Sequence, residues 1–83
     1  MREKCANRMV KIENIVRDGN KISMDCYEEG DVARAHHVVF DVSTLEVISG
    51  LKSNIYIRQG IAKIWNYFRK GLEIPDKTVS YWY

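Results

Sequence analysis

Only residues 53–71 of this chain read as a helix of any length, and short alternating segments lie to either side of them. In SNIYIRQGIAKIWNYFRKG the apolar residues Ile57, Ile61, Ile64 and Phe68, continued by Leu72, recur at spacings of three and four, with Trp65 beside them. That is the period of a helix with one buried stripe. Ser53 or Asn54 supplies an N-cap, and Gly71 a left-handed residue at the far end. Gly60 borders the stripe near Tyr56 and Tyr67. A glycine inside a helix costs about 1 kcal/mol relative to alanine, so close approach to a strand or to a partner is expected there.

The flanking segments follow the two-residue period of strands. Met9 to Val16 is the first, with Val10 and Ile12 on one face; the adjacent Ile15 and Val16 break the period, which a bulge near Asn14 or burial on both faces there explains. Asp18-Gly19-Asn20 is a hairpin signal. From Lys21 to Glu28, Ile22, Met24 and Cys26 alternate against Ser23, Asp25 and Tyr27. Glu28 to Arg34 is acidic and reads as an exposed loop. In Ala35 to Val42, Val38, Phe40 and Val42 face the core. A turn over Ser43–Glu46, with Asp41 or Ser43 bonding backbone amides, leads to a short strand over Val47–Ser49. Pro75 stops the helix from continuing, and Thr78 to Tyr83 is β-branched and aromatic, so it reads as a last strand. The predicted fold is α+β, order β-β-β-β-α-β: an antiparallel meander of four to five strands with one helix on one face. The last strand pairs antiparallel with the free edge of the first. Residues 1–8, polar and without period, read as a flexible leader before a single domain over residues 9–83.

Eighty-three residues bury only about 60–65% of their unfolded surface, so a second chain sharing some of that surface adds stability. The net charge of +2 is unevenly spread: residues 1–17 carry +3, residues 18–49 carry −5 and residues 50–83 carry +4. Acidic middle and basic ends can attract each other within one fold or between two copies. Cys5 and Cys26 have neither the number nor the spacing of a disulfide framework or zinc site. The opening MREKCANR has no apolar segment of the secretory kind, and the chain reads as cytoplasmic.

Three pieces, Val10–Ile15, the hairpin Val39–Ile48 and the ending Val79-Ser80-Tyr81-Trp82-Tyr83, together resemble a group of small uncharacterised bacterial proteins of similar length. The resemblance covers about residues 9–83. Similar proteins often have glycine in the hairpin turn where Leu45 stands. It implies no function and no cofactor.

No residue pattern signals catalysis. His36 and His37 are adjacent on a strand, point to opposite faces and cannot chelate one ion together. Cys26 reads as a buried thiol, and Asp25, Glu28, Glu29 and Asp31 as a solvated acidic cluster. Two other features are more informative. Tyr81 and Tyr83 share one strand face and Trp82 takes the other, and exposed aromatics of this kind mark contact surfaces. Arg58, Lys63, Arg69 and Lys70 make the helix over residues 54–70 basic, which is a way to contact phosphates. The expectation is a non-enzymatic interaction module that associates with itself, through Tyr56, Gly60 and Tyr67 on the helix flank and Tyr81, Trp82 and Tyr83 on the last strand. The alternative is nucleic-acid binding through the basic helix.

Overall fold

The computed structural model describes residues 8–50 and 54–82. The elements are β1 (Arg8–Asp18), β2 (Lys21–Glu28), β3 (Ala35–Asp41), β4 (Val47–Ser49), α1 (Ile55–Arg69) and β5 (Thr78–Trp82). The strands form one antiparallel sheet in the order β4-β3-β2-β1-β5. This is the expected meander, with the last strand returned to the free edge of the first. Of the expected leader, residues 1–7 lie outside the described residues and Arg8 opens β1.

Alternation along the strands decides the core. Val10, Ile12, Ile22, Met24, Cys26, Val38, Phe40 and Val42 all point to the helix side and are fully buried. The expected bulge is present. Asn14 takes a positive φ of 54°, and the β1–β2 register shifts between Glu13 and Val16. The extra residue turns Ile15 into the core and leaves Val16 out. The Ile15 amide donates instead to the Asp76 carbonyl, 3.0 Å away in the segment before β5. In the β1–β2 hairpin only Gly19 of the two loop residues has positive φ, the pattern of a type II′ turn, whose twist suits paired strands.

The helix lies over β1 and also touches β2, β5 and β3. Asn54 is its cap: the side-chain oxygen accepts from the amides of Tyr56 (2.8 Å) and Ile57 (3.2 Å). At the other end Leu72 donates to Tyr67 and Gly71 to Phe68, a Schellman closure with Gly71 at φ 71°. That closure ends the helical period, so Leu72 is 54% exposed and does not extend the buried stripe as its spacing suggests. Gly60 is buried beneath the helix. A Cβ there would stand 3.3 Å from Cys26 Sγ, 3.4 Å from Ile12 Cδ1 and 3.5 Å from Met24 Cε. Of the two reasons that a helical glycine invites, close approach to the strands is the one the structure shows.

The β3–β4 turn is organised by Asp41, whose carboxylate accepts from the Ser43 amide (2.8 Å), the Ser43 hydroxyl (2.5 Å) and the Thr44 amide (3.2 Å). Leu45 follows at φ 65°, a left-handed conformation that costs a non-glycine residue about 1–2 kcal/mol. Its side chain is 41% exposed, so little packing offsets the strain. Leu45→Gly is therefore expected to raise stability by about 0.5–1 kcal/mol, and Leu45→Val to lower it, since a β-branched residue fits that region worst. Urea denaturation of the three proteins checks this; an unchanged or lower midpoint for Leu45→Gly refutes it.

Candidate interaction surface

The helix covers one face of the sheet and its stripe settles which residues remain outside. On the uncovered face Lys11 pairs with Glu13 at 3.2 Å, and Asp25 accepts from Asn14 at 2.8 Å and lies 2.7 Å from His37 Nδ1. The His37 contact first, and then the Asn14 hydrogen bond, hold the Asp25 carboxyl below its ordinary range. These polar pairs are at home in water, and they share the uncovered face with Met9, Tyr27, Val39, Val79 and Tyr81.

The two edges differ more. β4 is only three residues long and joins β3 through an irregular register. Short, irregular edges resist pairing with another chain. β5 runs five residues, Thr78-Val79-Ser80-Tyr81-Trp82, with no charge and no proline. Among the described residues its outer backbone groups have no hydrogen-bonded partner. Its side chains divide by register. Trp82 pairs with Arg8 on the helix side, and its ring meets Tyr56 edge-on at 5.4 Å. Tyr81 pairs with Met9 on the uncovered face and is 72% exposed. The strand thus packs one aromatic, partly buried, against the core and offers the other to solvent.

The expected interface residues divide accordingly. Tyr56 and Tyr67 share the helix flank on the β5 side. Tyr56 is half-buried against Trp82, and Tyr67 lines a hollow of about 260 Å³ with Lys63, Asn66, Lys70 and Leu72. Gly60 lies on the same flank but beneath it, packed on the sheet, so it positions the helix and offers no surface to a partner. Tyr83 lies outside the described residues. The basic side chains do not form one row. Arg69 lies over Trp65, 5.0 Å from the ring centre, and donates to Asn66 at 3.2 Å; Lys63 lies 5.9 Å from the Tyr67 ring centre. Arg58 lies on the opposite flank, beside a groove of about 600 Å³ bounded by Leu45, Val47, Ile61 and Trp65.

The histidines take opposite faces as expected, but Glu28 does not join the solvated loop. It is only 8% exposed. It continues the period of Ile22, Met24 and Cys26 by one step, so it points under the helix start and needs partners there. Arg34 binds one carboxylate oxygen. The other accepts from Asn54 Nδ2 at 2.9 Å and from His36 Nε2 at 2.5 Å; an ionised carboxylate only accepts, so Nε2 carries the proton. These partners, Asn54 first, hold the Glu28 carboxyl below its ordinary range against the opposing effect of burial. Next to it Tyr56 donates its hydroxyl to Glu29 at 2.7 Å, which pushes the phenol pKa up. The remainder of the acidic stretch holds a single 3-10 turn, Val32–Arg34, capped by Asp31. The alternation of β2 carries the signal for Glu28, which falls on the buried face after Ile22, Met24 and Cys26. Burial, with the nearby Asp25 charge adding to it, pushes the Cys26 thiol up to about 12, which makes it inert.

Among the described residues no group of three or more histidine, cysteine or carboxylate side chains comes together as a metal site, and no helix is long and apolar enough to cross a membrane. No protein-family model, curated protein or solved structure matches the chain.

Proposed function

We propose that this protein is a small cytoplasmic interaction module that works by protein contact and associates with itself. The observation that carries this reading is the β5 edge: five uncharged residues whose outer backbone groups have no partner among the described residues, and an exposed Tyr81. Native sheets blunt such edges with charge, proline or very short strands, and β4 does so while β5 does not. A thin core adds to the case, because a chain of 83 residues gains from burying surface against another.

Sedimentation of the full chain over micromolar concentrations is expected to show a concentration-dependent species heavier than the monomer. Tyr81→Lys, which places a charge on the exposed edge without entering the core, is expected to weaken that association at least tenfold. A clean monomer at high micromolar concentration overturns the proposal.

A further inference from the structure

We propose that two copies join through β5 itself, antiparallel about a twofold axis at Ser80, to give one continuous sheet of twice the five strands of each chain. This rests on the self-association reading above and names its geometry. A twofold axis perpendicular to the sheet pairs the strand with its own copy, so the contact is isologous. It also requires paired residues to share a face, which restricts the register to steps of two residues.

Centring on Ser80 is the register the sequence favours. It sets Val79 opposite the partner's Tyr81 on the uncovered face, and Thr78 opposite the partner's Trp82 on the helix side. Ser80, small and nearly buried, meets its own copy at the axis. Every large aromatic then faces a β-branched residue, a favourable cross-strand pair, and no like charges oppose. A shift of one step in the upstream direction sets Lys77 against Tyr81 and Asp76 against Trp82, which spoils both pairs.

The helices permit this approach. Each lies over β1, and two β1 strands separated by a pair of β5 strands are about 14 Å apart at the usual strand spacing. A helix with its side chains is about 10–12 Å across, so the two clear each other with about 2–4 Å to spare. The flanks turned toward the axis are the ones bearing Tyr56 and Tyr67. The twofold axis sets the two helices antiparallel to each other.

Cysteine cross-linking tests the register. In a full-length chain carrying Cys5→Ser, Ser80→Cys places two thiols directly opposite, within the reach of a disulfide. Val79→Cys places them on a diagonal, about 7–8 Å apart and out of reach. The native Cys26 thiol is buried with its pKa pushed up to about 12, so it does not compete. Under mild oxidation most of the Ser80→Cys protein is expected to run as a covalent dimer, and the Val79→Cys protein as a monomer. If the unmodified chain sediments as a dimer and Ser80→Cys fails to cross-link, or both positions cross-link alike, this pairing is overturned while self-association stands. If the unmodified chain is monomeric throughout, both fall.

Discussion

Gly60→Val is expected to cost this domain about 3 kcal/mol or more and to leave much of it unfolded at 37 °C. A domain of this size has roughly 4–12 kcal/mol in total, so the loss is large. The helix sits on the sheet at Gly60, where an added Cβ already crowds Cys26, Ile12 and Met24 at 3.3–3.5 Å. Two further methyl groups have nowhere to go except into those side chains or by lifting the helix. Overpacking of this kind typically costs 1–3 kcal/mol, and here the neighbours are themselves fully buried. Urea denaturation far below the concentration at which the chain associates gives the value. If Gly60 served a partner instead, the monomer would keep its stability and only association would change.

Glu28→Ala is expected to cost about 2–3 kcal/mol at neutral pH. Breaking a buried ion pair by removing one partner costs 3–5 kcal/mol in a dry interior, and the exposed reach of Arg34 reduces that here. The loss has a second source. Asn54 holds the helix amides with its oxygen and Glu28 with its nitrogen, so the carboxylate anchors the helix start to the end of β2. The effect depends on pH. The Glu28 carboxyl is lowered in the folded state, so it binds its proton less readily than in the unfolded chain. Its contribution is present above the ordinary carboxylate range, about pH 4, and is lost as pH falls through the folded value. Asp25 and Asp41, lowered by their own hydrogen bonds, act in the same direction. Stability of the unaltered chain should fall below about pH 4, and the gap to Glu28→Ala should narrow there. A gap that is constant from pH 7 to pH 3 would rule the mechanism out.

Much of this architecture was legible in the residues, and the legible part has one cause. A period of two assigns each strand residue to a face, and a period near 3.6 assigns each helix residue to a stripe, whatever the rest of the chain does. Hence Ile22, Met24 and Cys26, Val38, Phe40 and Val42, and Ile57, Ile61 and Ile64 were assignable to the core. Local backbone chemistry was legible for the same reason: the Asn54 cap, the Gly71 closure, the Gly19 hairpin and the bulge at Asn14 each depend on residues within a few positions.

What sequence pattern does not carry is the meeting of distant residues. The basic character of α1 was visible, but not that Arg69 lies over Trp65 while Arg58 faces the opposite flank from Lys63. Glu28 looked like one of several loop carboxylates until Arg34, His36 and Asn54 converged on it. Gly60 looked like half of an interface until the sheet filled the space beneath it. The last strand shows the division best. Alternation alone placed Tyr81 and Trp82 on opposite faces. Only the packing of α1 over β1 and β5 decided that Trp82 is covered and Tyr81 is left in solvent, because a strand has two equivalent faces until something lies on one of them.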